Sequence, residues 1–514
     1  MKEDWVECTL GDLLKLKSGF AFKSTKYIDE GIPVLRIGDI QDWNVDVNNA
    51  KRVEENREYD PYKVNKGDIL IAMSGATTGK FGIYNSDEKA YQNQRVGNLI
   101  PHSDNYTIKN YIYYLLYSLK RDIEIGAYGG AQPNISASKI EALQTKLFPL
   151  PIQRAIVAKI EELFSSLDSG IADLKKAQEQ LVIYRQAVLK KAFEGELTKE
   201  WREKQSDLPS VDELLLGIKN GRQKHYKRQV EDWRKAVKHW EGNGKEDQKP
   251  TKPQKPTNLD IKITILDEVA NSLNVCNEWS IQPLAFISDN KPNCIVDGPF
   301  GASINVAEDY KEAGIPVIRM VNIRPFKYVA KNLKFIIEEK FNQLKRHNII
   351  PKDVLIAKVG ATIGDCCIYP DNQPEGMLST TGSCRIRLDP EIYLPELLQY
   401  YIFSQKFKLK SIASQTAQPF LNMKVLKAYP VPFLTIHEQK QLIREIESRL
   451  SVCDKVEESI AESLEKAEAL RQSILKKAFE GKLLSEEEIE KCKQEKDYEP
   501  ASVLLERIKA EKKK

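Results

Sequence analysis

The sequence predicts an α+β fold: two globular domains separated by two long antiparallel coiled-coil helices, arranged as a pseudo-twofold internal repeat. Three observations lead to it. First, the chain repeats itself. Tyr184 to Leu197 (YRQAVLKKAFEGEL) returns as Leu470 to Leu483 (LRQSILKKAFEGKL), identical at 10 of 14 positions with an offset of 286. Gly67 to Tyr84 (GDILIAMSGATTGKFGIY) returns as Lys352 to Tyr369 (KDVLIAKVGATIGDCCIY), identical at 10 of 18 with an offset of 285. GIPVLR at Gly31 returns as GIPVIR at Gly314. Second, each copy mixes short β-rich apolar runs with one helical stretch. Third, each copy ends in a long run with apolar residues at helical spacing.

The elements follow in order. Residues 1–150 hold IPVLRIGDI, DILIAM and FGIYN, strands punctuated by Gly, Asn and Asp, and one helical stretch from Asn110 to Glu124. Lys146 to Gln153 (KLFPLPIQ) reads as a proline-bearing strand running into a helix start. Over 151–197, Ile156, Ile160, Leu163, Leu167, Ile171, Leu174, Leu181 and Val188 fall on one stripe, and Gly195 supplies a left-handed cap. Residues 198–262 read as a basic helical and Pro/Lys-rich linker, with Trp233 and Trp240 seven apart, a helix-packing spacing. The second domain covers 263–435, with Leu394 to Ile412 as its helical stretch and Ala428 to Gln439 (AYPVPFLTIHEQ) as its proline-bearing strand. The second long helix, 436–483, carries Leu442, Ile446, Leu450, Cys453, Ile460, Leu464 and Ile474 and stops at Gly481. A charged helical tail, 484–514, echoes the start of the linker: EPASVLLERIK against LPSVDELLLGIK. A helix of about 42 residues is a rod of roughly 60 Å. Its stripe outruns one small domain, so the other copy is the expected partner.

Composition bounds the function. With 41% apolar and 30% charged residues the chain can fold cores and still expose long helices. No apolar run approaches the roughly 18 residues that span a bilayer, and MKEDWVECTL lacks the apolar core of a secretory signal. The eight cysteines are scattered, with no Cys-x-x-Cys pair, which argues against a disulfide framework or zinc site and for a cytoplasmic location. Net charge is +4, yet Lys219 to Lys262 holds 13 Lys/Arg against six Asp/Glu, more than the whole positive balance. That stretch is either a solvated linker face or a phosphate contact.

The catalytic motifs fail in instructive ways. Gly75 to Lys80 (GATTGK) has three residues between its glycines where a phosphate loop has four, Phe81 follows the lysine, and the second copy has Asp365 for Lys80. Both read as tight glycine turns. DPYK at Asp60 and DGPF at Asp297 each fall one residue short of an amine-holding Asp/Asn-Pro-Pro-Tyr/Phe motif. The five histidines (102, 225, 239, 347, 437) show no paired ligand spacing, and His437 sits at a helix cap. No cofactor and no metal are expected.

Two α+β domains, each followed by a helix with a proline-rich start (PLPIQR, VPFLTIHEQ) and an LKKAFEGxL end, with AQPNIS and AQPFLN loops, resemble the DNA-specificity subunit of type I restriction–modification systems. The resemblance covers nearly the whole chain. The first helix departs from it: PIQR stands where an acidic residue commonly precedes the glutamine. It implies a non-catalytic subunit whose globular parts are target-recognition domains, each reading one half of a split site in double-stranded DNA. It also implies helices that dock two copies of a methyltransferase subunit, joined by an ATP-using restriction/translocase subunit. Two non-identical readers on a rod fit a bipartite, asymmetric site, with half-sites about one turn, roughly 34–36 Å, apart.

Base readout favours Arg on guanine and Asn or Gln on adenine. The candidates are Arg36, Asn93, Gln94, Arg95, Gln132 and Asn134 in the first domain, with Lys80 as a phosphate contact. In the second they are Arg319, Arg385, Gln415, Gln418 and Asn422. Arg36 and Arg319 recur in both copies, which favours phosphate binding or bracing over reading. Positions that differ are the better readers: Asn93 to Arg95 against Thr380 to Gly382, and Asn134 against Phe420. Two other classes stay open: a self-contained DNA methyltransferase, and a coiled-coil scaffold.

Overall fold

Both halves of the sequence contribute to each folded unit. The computed structural model describes residues 5–41, 43–103, 109–127, 133–206, 208–245, 248–253, 255, 267–414 and 418–513. One unit combines Met1–Ala177 with Ser459–Lys514; the other is Gln178–Glu458.

In the first unit a sheet orders its strands Leu14–Ser18, Val96–Pro101, Ile69–Ala72 and Phe81–Ile83, extended by Trp43–Val45 and Ile40–Gln41. A second sheet orders Lys51–Val53, Ile32–Leu35, Ala90–Gln92 and Lys63–Val64. The second unit repeats both: Ile295–Asp297, Ser383–Ile386, Val354–Ala357, Cys366–Ile368, and then Lys334–Ile336, Ile315–Ile318, Gly376–Leu378, Asn348–Ile349. Even the parallel pairing recurs, Leu35 beside Gln92 and Ile318 beside Leu378. Ile69–Ala72 and Val354–Ala357 are buried at every residue, as a continuous apolar run demands.

Each predicted single helical stretch is two helices, Lys109–Ser118 then Lys120–Ala127, and Pro395–Ser404 then Lys406–Ser411. The break has one cause in both. The amides of Leu119 and Gln405 each reach two carbonyls, three and four residues back, which tightens the turn. The proline-bearing strands differ between copies. Gln144–Leu147 ends before Pro149, whereas Pro430–Phe433 keeps Pro430 and Pro432 within a two-stranded ribbon, where a missing N–H is tolerated.

The helix after each domain is long: α1 (Leu150–Phe193, 44 residues) and, in the second copy, a 45-residue helix, Ile436–Glu480. Gln153 and Gln439 are fully buried at their starts. Their side-chain amides donate to the Phe148 carbonyl at 2.8 Å and the Leu434 carbonyl at 3.0 Å. Gly195 and Gly481 end the helices at φ +80° and +77°, conformations that favour glycine. The helices pair antiparallel within each unit. In the first, Asp168 meets Arg471 while Ile156 shares a core with Ala478 and Phe479. In the second, Arg185 bridges Asp454 at 2.7 Å and Glu457 at 2.8 Å, and Thr198 meets Glu438.

That last contact exposes a difference between the copies. Glu438 is buried, its carboxylate accepting from Thr198 at 2.8 Å and Arg202 at 2.5 Å. At an offset of 286 the first unit has Ile152 and Leu484 instead, packed beside Trp5, Phe148 and Ile489. One helix start is thus fastened by a buried ion pair and the other by apolar contact. Glu438→Ile alone strands Arg202 and is expected to cost about 3–5 kcal/mol in urea unfolding. Glu438→Ile with Thr198→Leu and Arg202→Met installs the apolar version and should return to within about 1.5 kcal/mol of the parent.

Candidate nucleic-acid interface

Four loops meet at one edge of the first domain. They are the turn Arg36–Asp39, the glycine loop from Met73 to Lys80, the turn Asn93–Arg95, and the segment Pro133–Ile135. Backbone bonds tie them. The Asn93 amide donates to the Leu35 carbonyl (3.0 Å), Met73 to Arg95 (3.0 Å), Gly75 to Pro133 (3.0 Å) and Ile135 to Met73 (2.9 Å). The Thr77 hydroxyl donates to the Ile37 carbonyl at 3.0 Å. The second domain repeats the frame: Ser379 to Ile318 (3.0 Å), Lys358 to Gly382 (2.8 Å), Gly360 to Pro419 (2.9 Å) and Leu421 to Lys358 (2.9 Å). In each, one glycine is compulsory. A Cβ on Gly19 would lie 2.1 Å from the Gln92 carbonyl oxygen, and one on Gly298 the same distance from that of Thr380.

The sequence candidates divide sharply on this frame. Gln94 and Arg95 are exposed at the tip of their turn, Asn93 is half-buried beneath them, and Asn134 is exposed on the neighbouring segment. The structure brings these four together through the Met73–Arg95 and Ser74–Asn134 pairings. Lys80 is half-buried at the end of its loop. GATTGK is the tight turn of a hairpin between Ile69–Ala72 and Phe81–Ile83, with Gly75 and Gly79 at positive φ. Its counterpart Asp365 is buried and paired with Lys406.

Arg36 and Arg319 sit at equivalent turns. The Arg36 amide donates to the Asp39 carboxylate at 2.8 Å, and its side-chain Nε lies 3.6 Å from the same group. Burial pushes the Asp39 carboxyl up, with the bonds from Arg36 acting against it. The Arg319 amide donates to the Asn322 side chain at 2.9 Å, and its guanidinium to the Asn332 carbonyl at 2.6 Å. Both residues brace turns.

Two candidates in the second domain are otherwise employed. Arg385 is 2% exposed, and its guanidinium donates to the carbonyls of Asn348 (2.5 Å) and Cys294 (3.2 Å) and lies 3.9 Å from Asp353. Burial lowers its pKa to about 10. It faces the interior and cannot meet a base edge, which corrects the expectation for this residue. Asn422 caps the helix Met423–Lys427, accepting from the Lys424 amide at 2.7 Å. Gln418 is exposed. Gln132 and Gln415 lie outside the described residues.

The geometry adds residues that sequence reasoning passed over. Phe300 is 78% exposed beside buried Gly298 and Pro299, on the loop pressed against Thr380. In sequence DGPF reads only as an incomplete amine-holding motif; the aromatic between Pro299 and Gly301 is the signal. Lys358 is fully buried, 3.2 Å from the Asp297 carboxylate and 4.6 Å from the centre of the Phe420 ring. Beneath it His347 donates from Nδ1 to the Asp297 carbonyl at 2.5 Å. Among the described residues no cluster of His, Cys, Asp and Glu could hold a metal, and no helix is long and apolar enough to cross a membrane.

A family profile described as "Type I restriction modification DNA specificity domain" matches residues 2–179 and 300–466. The chain belongs to this family. The type I restriction enzyme EcoBI specificity subunit of Escherichia coli is 25% identical over 99% of this chain and 93% of its own length. The EcoKI specificity subunit of Escherichia coli strain K12 is 22% identical over 100% of this chain and 96% of its own. A solved structure described as "Structural basis underlying complex assembly and conformational transition of the type I R-M system" shares the fold. Its TM-score is 0.59 at 15% identity, covering 93% of this chain and 98% of that one.

The cluster under the second candidate interface carries a pH dependence. Burial holds the His347 imidazole below its ordinary 6.5, with the Asp297 carbonyl acting the other way. A base depressed by folding is protonated first in the unfolded chain. The contribution of this imidazole to the stability of the second domain is therefore full above pH 6.5 and falls as the pH drops below it. The slope is bounded by about 1.4 kcal/mol per pH unit. Urea midpoints measured from pH 7 down to about 5 should fall more steeply for the parent than for His347→Asn.

Proposed function

We propose that this chain is the DNA-sequence-reading subunit of a type I restriction–modification complex and reads a bipartite, asymmetric site. The observation that carries this is one loop frame, built twice from the same backbone bonds, bearing different exposed side chains each time. Residues 1–150 and 263–435 are assigned as target-recognition domains, 151–197 and 436–483 as spacer helices, 198–262 as a linker and 484–514 as a tail. In the first domain Gln94, Arg95 and Asn134 read base edges, with Asn93 shaping their turn. In the second, Thr380, Thr381, Gln418 and Phe420 hold the matching places, and Phe300 offers an apolar contact to a thymine methyl. Arg36, Lys80 and Arg319 serve phosphates or the frame. Gln132 and Gln415 remain candidates on sequence grounds. The paired helices dock two methyltransferase subunits, and a restriction/translocase subunit completes the complex. Methyl transfer to adenine and ATP-dependent cleavage belong to those partners, and the complex acts in the cytoplasm.

Methylation mapping of the host genome with and without the gene tests the reading. A two-part motif with a fixed unread gap should lose its mark when the gene is deleted; an unchanged map counts against it. With that motif known, Asn93→Ala/Gln94→Ala/Arg95→Ala should weaken binding to the cognate duplex by about 100-fold, given ~1–3 kcal/mol per paired base contact. Co-purification with the methyltransferase should be unaffected. Unchanged DNA affinity would remove this turn from the interface.

A further inference from the structure

After α1 the chain forms α2 (Val211–Gly242, 32 residues), opened by a capping box between Ser210 and Glu213. Its first third is anchored. Val211, Leu214, Leu215 and Ile218 pack on the core of the second unit. Arg222 is 5% exposed, donates to the Ser288 carbonyl at 3.0 Å and lies over Phe286. From Gln223 to Gly242 no residue is buried.

That free length is two-sided. Tyr226, Val230, Trp233, Val237 and Trp240 are half-buried on one stripe. The following lysine/proline segment runs back along it. Trp233 donates to the Pro250 carbonyl at 2.9 Å, Lys252 stands over Trp233, and Lys245 and Lys249 stand over Trp240. The stripe therefore already has a cover from this chain.

Among the described residues nothing covers the other side. Lys224, Lys227, Arg228, Arg234, Lys235 and Lys238 are all exposed. At ~100° per residue they fall within a sector of about 120°. Glu231 is the sole acidic residue in that sector, and among the described residues these six make one ion pair, Lys235 with Asp232 at 3.9 Å. From Lys224 to Lys238 the face is roughly 21 Å long, enough to lie against about six phosphates of one strand.

We propose that this face of α2 binds the sugar–phosphate backbone of duplex DNA irrespective of sequence, outside the bases read by the recognition loops. It draws on the proposed function only in taking DNA as the polyanion. A one-sided row of six exposed cations whose one carboxylate pairing is a long one, Lys235 with Asp232 at 3.9 Å, suits a regular polyanion, and counterion release makes such binding salt-dependent.

The test uses the full chain and a labelled duplex of arbitrary sequence, about 40 base pairs, titrated between roughly 50 and 200 mM salt. Replacing the six cations by Gln should weaken binding about 10- to 100-fold at the lowest salt. It should also flatten the plot of log affinity against log salt by about 0.9 per lost contact, some 3 to 5 in all. Replacing the four lysines by Arg should retain the parent slope. Circular dichroism should be unchanged, since all six side chains are exposed. Equal affinity and slope in the Gln variant would overturn the proposal. So would loss of a protein partner with DNA binding intact, which would mark an acidic protein as the ligand. The methylation map separates the two readings: a host carrying the Gln variant should mark the same motif less completely. A parent chain that sets no motif would sink the sequence-reading function and leave this surface standing.

Discussion

Neither globular domain closes its core with residues of its own half. The first domain packs Leu10, Leu13, Tyr111 and Phe148 against Ile474, Leu475, Phe479, Leu504 and Ile508. The last helix of the chain, Ala501–Lys512, lies against the segment Leu10–Leu13, and Lys512 donates to the Gly11 carbonyl at 2.6 Å. The second domain takes Val188, Leu189, Ala192, Phe193 and Leu215 from the end of the first half. This exchange explains why the most faithful repeat in the sequence is LKKAFEGxL. That segment must fit beneath the domain of the other half, turn sharply at a left-handed glycine, and present Ala and Phe inward in both copies. A change there disturbs two parts of the sequence at once, whereas a change on the turn Asn93–Arg95 disturbs one.

Much of this architecture was legible because its signals are local. The apolar stripes of the long helices, the glycines that end them and the prolines at their starts are short-range patterns that tertiary structure seldom overrides. GATTGK was legible as a turn for the same reason. The break within each domain's helical stretch was not, because Leu119 and Gln405 are ordinary helix formers and only bifurcated bonding marks the joint. Nor was the contrast between Glu438 and Ile152, since each is a plausible surface or core residue until its partner across the unit is known.

The candidate interface was half legible. Asn93, Gln94, Arg95 and Asn134 stood out as polar residues on turns, and the fold collects them. Arg385 looked the same in sequence. It lies in the strand Ser383–Ile386, whose four residues are all buried, and only the pairing of that strand with Ile295–Asp297 and Val354–Ala357 shows that its side chain is enclosed. Phe300 was overlooked for the opposite reason. An aromatic is expected inside, yet Phe300 is exposed on the loop that Gly298 brings against the Thr380 backbone. In both cases the deciding fact is a long-range strand or loop contact, which no local pattern encodes.

How the loops are held bears on how the two loop sets can diverge. The bonds that fix the frame join backbone to backbone: Asn93 to Leu35 and Ser379 to Ile318, Met73 to Arg95 and Lys358 to Gly382. An amide and a carbonyl are present whatever the side chain, so the turn keeps its place when Arg95 in one copy is Gly382 in the other. The residues that cannot vary are the ones with no side chain to offer, Gly19 and Gly298, where any Cβ would strike a carbonyl. Stability and readout are thereby assigned to different atoms of the same turn. The side chains of Gln94, Arg95 and Asn134 are exposed, and a new pattern of hydrogen-bond donors can replace theirs without repacking the domain beneath.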